Sequence, residues 1–196
     1  MEAIDAFEEL NVNLRTRLIL SIDRRHDIST ATSILDIAKR HKGKVVGIDL
    51  CGDPTKRPNG EVSIFTSHFI EVKKAGLYIT VHFAEAKASG SRAELDELLS
   101  WQPDRLGHVI WEDDDVKKEI ARRGLCLELC LSCNVKAEMV SGGFEGHHFG
   151  AWRGVEGVKI SLSVSNPLEM NVRVLTLCRL MMLASLRVLY QTNIVS

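Results

Sequence analysis

Residues 77–85 of this 196-residue chain read LYITVHFAE, and this stretch indicates the fold more clearly than any other. A mostly apolar run ends in His82, and Glu85 follows one short turn later. A near-continuous apolar run of this length is typical of a strand in a parallel sheet that is buried on both faces. Parallel α/β folds carry their functional groups where the strands end, so both polar residues are candidates for a site.

Five further segments have the composition of strands: residues 18–22, 45–50, 105–109, 125–131 and 158–162. The stretches between strands carry helical periodicity and end signals: residues 29–40 with Ser29 or Thr30 as the cap, 66–75 before Gly76, 91–99, and 114–123 before Gly124. The acidic run at residues 112–115 reads as the start of the last helix, where carboxylates suit the helix dipole. This alternation predicts an α/β fold with right-handed crossovers.

Six predicted strands fit two architectures. An open doubly wound sheet needs no more than six, whereas a closed (β/α)8 barrel needs eight strands and about 250 residues. Periodicity does not distinguish between them. The composition changes after Pro167, because the rest of the chain is rich in Leu, Met and Arg and lacks the earlier turn signals. We therefore expect one α/β unit over residues 1–167 and a divergent helical segment over residues 168–196.

The overall composition is that of an ordinary globular protein in the cytoplasm. The chain is 45% apolar and 26% charged, with a net charge of -1, which gives no argument for binding to nucleic acid or to a membrane surface. No apolar stretch approaches the roughly 20 residues of a membrane span. The five cysteines are odd in number and no secretory leader is recognisable, so we expect reduced thiols and a cytoplasmic location.

Two histidines and a glutamate are predicted to converge at one edge of the sheet. His82 closes its strand and suits a metal ligand, although a hydrogen-bonded core histidine is the more ordinary interpretation. Glu85 could exchange protons with whatever lies there. His108 follows Gly107 at the next strand end, where glycine allows a close approach of backbone or ligand. Gly52 could present a backbone amide to a planar ligand, or simply belong to a turn.

Other polar residues carry weaker signals. Arg24 and Arg25 follow the first strand and could meet a phosphate, although solvated arginines are commoner there. The cysteines at positions 126, 130 and 133 do not form a convincing zinc site, because Cys133 does not share the strand parity of the other two and no second CxxC pair occurs. His147 and His148 lie in a glycine-rich loop, where they could contact a ligand or only solvent. No dinucleotide, P-loop or serine hydrolase motif occurs.

The ordered set of motifs resembles the adenosine and AMP deaminase family. The resemblance is carried by VGIDLCGD at residues 46–53, TVHFAE at 80–85 and DRLGH at 104–108. LELCLSCNVK at residues 127–136 and HHFG at 147–150 look closer to the adenosine deaminase-like branch, which acts on N6-methyl-AMP and related nucleotides. The likeness runs from about Leu18 to about Pro167, and the order of the motifs is more specific than any one of them.

The resemblance implies an incomplete (β/α)8 TIM-type barrel, with residues 1–167 as a partial metal-dependent deaminase barrel. It implies zinc-dependent hydrolytic deamination of N6-methyl-AMP, AMP or adenosine to the 6-oxo purine, with this small molecule as the partner. His82 would be a zinc ligand, Glu85 would give a proton to purine N1, and His108 would hold and polarise the attacking water. Gly52 and Asn166 would contact the purine.

Two departures from the family pattern affect the zinc ion. The family's His-x-His pair is absent, so the chain is expected to begin near the third family strand, as if truncated at its N-terminus. Ser165 and Asn166 stand where the family has two aspartates. Of the expected protein ligands only His82 is present, which predicts weak or absent zinc binding. A non-catalytic relative that binds a nucleotide or a partner protein is therefore the alternative function, and an unrelated open α/β protein with structural histidines is the third interpretation.

Overall fold

The structure, a computed structural model, describes residues 2–10 and 16–163, which form six parallel strands alternating with helices. The strands are β1 (Leu18–Asp23), β2 (Val45–Cys51), β3 (Tyr78–Phe83), β4 (Arg105–His108), β5 (Cys126–Leu129) and β6 (Lys159–Leu162). The helices are α1 (Glu2–Leu10), α2 (Ile28–Arg40), α3 (Thr66–Lys74), α4 (Arg92–Ser100), α5 (Asp114–Arg123), α6 (Leu131–Lys136) and α7 (Phe149–Trp152). Short 3-10 turns cover Val62–Phe65 and Lys87–Ser89.

The strands pair in the order of the chain, and each lies parallel to the next. A doubly wound sheet would reverse its strand order at a switch point, so this order excludes that alternative. Because crossovers between parallel strands are right-handed, a sheet that grows in one direction keeps its crossover helices on one face, as in the wall of a (β/α)8 barrel. The predicted incomplete barrel of six strands is confirmed, with β1 and β6 at the edges of the described sheet.

The hydrophobic core lies between one face of this sheet and the helices. Successive strands contribute fully buried side chains to it: Ile48, Val81, Leu106 and Leu127. The helices contribute Leu35, Phe69, Leu98 and Ile120, which are buried in the same cluster. Since burying one such side chain is worth roughly 1.5–3 kcal/mol, this layer accounts for most of the apolar stabilisation.

The opposite face of the sheet is polar. Ser21, Asp49, Thr80, Arg105 and Glu128 occupy alternate strand positions and contact one another across it. Ser21 Oγ lies 3.4 Å from Asp49 Oδ2, and Glu128 accepts hydrogen bonds from Thr80 at 3.0 Å and Arg105 at 2.8 Å. Asp49, Thr80 and Glu128 are 1%, 4% and 7% exposed, so the expectation of strands buried on both faces is largely confirmed. The second face is polar because only alternate side chains face the helices.

Local boundaries differ from the predictions in a few places. The cap of α2 is Asp27, whose carboxylate accepts from Thr30 N at 2.7 Å, and not Ser29 or Thr30. Strand β5 ends at Leu129 and the chain turns directly into α6 instead of continuing to residue 131. Helices α1, α6 and α7 were not predicted. The predicted segment 168–196 and the candidate Asn166 lie outside the described residues.

Among the described residues, no helix has the length and apolarity needed to cross a membrane.

Candidate active site

The ends of β3 and β4 bring three of the predicted site residues together. His82 lies in β3 beside Gly107 of β4, and His108 is the last residue of β4. The two imidazole rings have centroids 5.1 Å apart, and Glu85 Oε1 lies 3.4 Å from His108 Nε2. The arrangement follows from parallel pairing, since the carboxyl ends of neighbouring strands meet at the same edge.

The backbone at these two strand ends is held in an unusual conformation. Ala84, His108 and Val109 all have positive φ values, of 49°, 67° and 54°. Val109 N donates to Phe83 O at 3.0 Å and Ile110 N donates to Ala84 O at 3.1 Å, so the two strand ends are bonded to each other. A left-handed conformation costs a residue other than glycine about 1–3 kcal/mol and is commonest at functional sites.

Asp49 sets the orientation of the His82 ring. The buried Asp49 carboxylate lies 3.2 Å from His82 Nδ1, so Nε2 is the nitrogen left to face a ligand. Burial opposes protonation of His82, but the Asp49 charge and hydrogen bond, with help from Glu85, raise the pKa of His82 to about 9. A carboxylate on the second ring nitrogen is the usual support of a metal-binding histidine.

His108 has a different environment. Its Nδ1 lies 3.4 Å from Asn134 Oδ1, and its carbonyl oxygen lies 2.6 Å from His148 Nε2. Burial and the neighbouring charge of His82 lower the pKa of His108 to about 3, so this imidazole is neutral. Burial also raises the pKa of the Glu85 carboxyl above its ordinary value, against the charges of His82 and Arg24. The site therefore combines a neutral imidazole with a carboxyl group that holds its proton more tightly than usual.

Arg24 is a structural partner of this site and not a solvated or phosphate-binding residue. It is 2% exposed, pairs with Glu94 Oε1 at 2.6 Å, and donates to the carbonyl oxygen of His82 at 2.9 Å. Its neighbour Arg25 is largely exposed and pairs with Asp23 at 2.7 Å. The Arg24–Glu94 pair thus ties the end of β3 to α4.

Gly52 and Gly107 differ in whether the surrounding atoms leave room for a side chain. Gly52 has a φ of 94°, and a Cβ there would lie 2.5 Å from Asp23 Oδ1, so only glycine fits. A Cβ at Gly107 would make only ordinary contacts, 3.5 Å from Val81 O and 3.8 Å from His82 Cα, so protein atoms do not demand glycine there. The purine contact predicted for Gly52 stays a prediction.

The described residues do not form a metal centre by themselves. Over residues 2–10 and 16–163, no group of three His, Cys, Asp or Glu side chains could hold a metal ion. The described cysteines form no disulfide among themselves, and burial raises the pKa of Cys130 to about 12. His82 is therefore an oriented imidazole to which the described part of the chain adds none of the complete ligand sets that zinc takes.

Sequence reasoning missed the residues that support the site. Asp49 was visible as a lone acid inside an apolar strand, and a buried acid of this kind needs a partner. Asn134 and His148 gave no such signal, because their contacts with His108 join residues 26 and 40 positions apart. His148 does not merely face solvent, as one of the alternatives for the histidine pair held.

Solved structures of purine deaminases have the same fold. The crystal structure of an Arabidopsis N6-mAMP deaminase superposes with a TM-score of 0.76 at 26% identity, covering 87% of this chain and 49% of that one. An Arabidopsis ADAL protein in complex with GMP gives the same values.

Curated proteins with similar sequences include the bovine N6-methyl-AMP deaminase, which is 33% identical over 165 residues. That match covers 79% of this chain and 45% of the bovine protein. The adenosine deaminase-like protein of Caenorhabditis elegans is 30% identical over 158 residues, which is 78% of this chain and 39% of that protein. The chain thus spans about half the length, or less, of the curated relatives it matches.

The sequence profile of the family described as adenosine deaminase matches residues 2–179, which is most of the chain. The profile covers the strand ends that carry His82, Glu85 and His108. The chain therefore belongs to the adenosine deaminase family.

Proposed function

We propose that this site serves the hydrolytic deamination of an adenosine-type purine, with an N6-substituted AMP such as N6-methyl-AMP as the preferred substrate. The observation that carries the proposal is the convergence of His82, Glu85 and His108 at neighbouring strand ends. Relatives with the name N6-methyl-AMP deaminase and a structural neighbour bound to GMP support a purine nucleotide as the ligand.

In this proposal Glu85 is the proton donor to purine N1. Burial favours its protonated form, and protonation of N1 makes C6 more susceptible to attack by water. His108 holds the attacking water, because a neutral imidazole can accept its proton. The water oxygen bonds to C6 as its proton passes to His108, and the C6–N6 bond then breaks as N6 takes that proton. Glu85 regains a proton from the new C6 hydroxyl, and the products are the 6-oxo purine and an amine, or ammonia. Gly52 and Asn166 are proposed purine contacts.

Zinc dependence belongs to this proposal only in part. His82 has the orientation of a metal ligand, with Asp49 on its Nδ1. The described residues do not fit a zinc ion, since they supply no group of three ligands. No step of the reaction is therefore assigned to the ion, and we expect the chain to bind zinc weakly.

The same observation favours a second function, which is non-catalytic binding of a purine nucleotide. A site without a full set of metal ligands keeps its hydrogen-bonding groups and the shape of its strand ends. Binding of IMP without turnover would be its signature, since IMP is the 6-oxo product of the proposed reaction.

One experiment separates the two functions. The purified chain is incubated with N6-methyl-AMP, AMP or adenosine, with and without added zinc, and the 6-oxo product is quantified by chromatography. Parallel calorimetric titrations measure the binding of zinc and of IMP. The matched variant is Glu85→Gln, which keeps the shape of the side chain and removes the acid.

We expect the Glu85→Gln variant to lose at least about 100-fold in turnover, because general acid catalysis is worth about 10²–10⁴-fold, and to retain IMP binding. Turnover that survives this substitution would make the assignment of Glu85 wrong. Binding of IMP with no turnover by the unmodified chain would favour the second function, and the absence of both would reject both.

A further inference from the structure

We propose that Asn134 is a positioning residue that fixes the tautomer of His108, with the ring proton on Nδ1 and the lone pair of Nε2 directed toward Glu85. Its importance for catalysis rests on the proposed deamination, but the tautomer is a property of the protein that can be measured without turnover.

The contact between Asn134 and His108 is buried and anchored on both sides. Asn134 is 0% exposed and His108 is 3% exposed, so bulk solvent does not reach the contact between them. Asn134 N donates to Cys130 O at 2.9 Å, and Asn134 O accepts from Met139 N at 2.9 Å. Backbone hydrogen bonds to the residues just before and just after α6 therefore fix the position of Asn134 at the end of β4.

The chemistry of the two groups determines the proton's position. A neutral imidazole has one donor and one acceptor nitrogen. Asn134 Oδ1, which can only accept, lies 3.4 Å from His108 Nδ1, so Nδ1 carries the proton. His108 Nε2 is then an acceptor, and it lies 3.4 Å from Glu85 Oε1, where it meets the proton of a carboxylic acid or of a water molecule.

A flipped Asn134 amide would have the opposite consequence. Its NH2 group would donate to Nδ1, the ring proton would move to Nε2, and His108 could no longer accept a proton from water. The orientation of this one amide thus decides whether His108 serves as a proton acceptor or a donor. In the observed orientation the second amide group, Nδ2, is buried without a partner among the described residues.

The backbone of His108 is fixed from the same part of the chain. His148 Nε2 lies 2.6 Å from the carbonyl oxygen of His108, whose φ is 67°. Because a carbonyl oxygen only accepts, His148 donates this hydrogen bond. Asn134 and His148, both after β5, thus hold the ring and the carbonyl of a residue in the left-handed region, which is why we assign them a positioning role and not a catalytic one.

The test is a long-range proton–nitrogen NMR spectrum of the uniformly 15N-labelled full chain at neutral pH. His108 is identified by the signals that disappear in His108→Gln. We expect Nδ1 to be the protonated nitrogen and Nε2 to have the shift of an unprotonated one. A proton on Nε2 in the unmodified protein would overturn the proposal without the need for any variant.

Three substitutions test whether Asn134 determines the tautomer of His108. Asn134→Leu matches the volume but removes the acceptor, and we expect the ring proton to redistribute toward Nε2. Asn134→Asp keeps an acceptor, and Nδ1 should stay protonated. Ser132→Ala, on the same helix, should leave the spectrum of His108 unchanged. If Asn134→Leu fails to fold, as judged by circular dichroism, Asn134→Ala makes the same comparison; an unchanged tautomer in either variant contradicts the proposal.

The kinetic consequence is measured separately with N6-methyl-AMP. We expect Asn134→Leu to lower kcat about 10–100-fold with little change in KM, and Asn134→Asp to recover part of the loss, since supporting residues of this kind typically contribute that much. A chain with the expected tautomer but no turnover would refute the proposed function and leave the assignment of Asn134 intact. Turnover that is unaffected by Asn134→Leu would refute the catalytic importance of the tautomer.

Discussion

His82 is protonated in the metal-free protein at neutral pH because Asp49 lies 3.2 Å from its Nδ1 and raises its pKa to about 9. A histidine with a raised folded pKa contributes stability that is fully present below about pH 6.5 and is lost as the pH rises through about 9. The charges that face this ring are Asp49 and Glu85, which favour protonation, and Arg24, which opposes it.

We therefore predict that Asp49→Asn destabilises the metal-free chain more at pH 6 than at pH 10. At pH 10 His82 is neutral in both proteins, so the substitution removes a buried charge that no longer has a charged partner. Urea unfolding with a chelator present at both pH values measures the difference. Ser21→Ala removes a neighbour of the other Asp49 oxygen and should show no such dependence on pH. Equal costs of Asp49→Asn at the two pH values would contradict the pairing.

Gly52→Ala is predicted to lower the free energy of unfolding by at least about 1 kcal/mol, because position 52 has a positive φ and an added Cβ would meet the Asp23 carboxylate. Gly43→Ala is the matched control, since nothing lies within 4 Å of a Cβ at that position. Urea unfolding of both variants is the measurement. If Gly43→Ala lowers the free energy of unfolding as much as Gly52→Ala does, the contact with Asp23 is unimportant.

The residues that converge at the strand ends were easier to predict than those that support them. His82, Glu85 and His108 stand out because polar residues directly after apolar strands are visible in a sequence. Asn134 and His148 contact His108, which lies 26 and 40 positions earlier in the sequence, and no local sequence pattern predicts contacts at such separations. Arg24 was misjudged for the same reason, since its partner Glu94 lies on a helix 70 residues later.

Helix α5 is stabilised by capping interactions at both of its ends. The Asp113 carboxylate accepts from Val116 N at 2.8 Å, and Gly124 ends the helix with a φ of 64°. We predict that Asp113→Ala costs about 1 kcal/mol of stability, which is the usual value of an N-cap side chain. Asp114→Ala, one residue further along and exposed, should cost less. Thermal unfolding would compare the two, and equal costs would point to a general effect of charge.

The accuracy of the predicted elements followed the strength of their end signals. The bounds of α5 were predicted correctly because an acidic cap and a glycine both mark them. For α2, the prediction of Ser29 or Thr30 as the cap was wrong because Asp27, which precedes them, accepts from Thr30 N. Strand β5 was predicted too long because Cys130 and Leu131 are apolar, and apolar character does not distinguish a strand from the start of α6.

In the molecule as a whole, one face of the sheet packs against the helices in the apolar core, and the other face is polar. Neighbouring residues of β5 illustrate this, since Leu127 is fully buried in the core and Cys126 is partly exposed. We predict that Leu127→Ala costs about 2–5 kcal/mol, the usual range for a core leucine, and that Cys126→Ala costs less than about 1 kcal/mol. Denaturant unfolding measures both. Similar costs would mean that the apolar core is not confined to the face that the helices cover.

Hydrophobic periodicity predicted six strands but not their order, because the two candidate architectures share the same alternation of strands and helices; only the resemblance to the deaminase family predicted the barrel. The two architectures differ in which strands are neighbours in the sheet. The neighbours depend on the path of the crossover connections, which are longer than any sequence motif. The pairing of each strand with the next one along the chain, as in Thr80 with Arg105 and Glu128 with Ser161, identifies the barrel wall.

The sequential strand order also has a consequence for how the chain acquires its structure. Each strand pairs with the one synthesised just before it, so every pairing closes a short loop that contains one α-helix, or two between β5 and β6. Loops of that size favour fast folding, and domains generally fold from the N-terminal side while translation continues. The sheet can therefore grow on the ribosome one strand at a time, and β4, which brings His108 to His82, joins the site only when β3 is already available as its template.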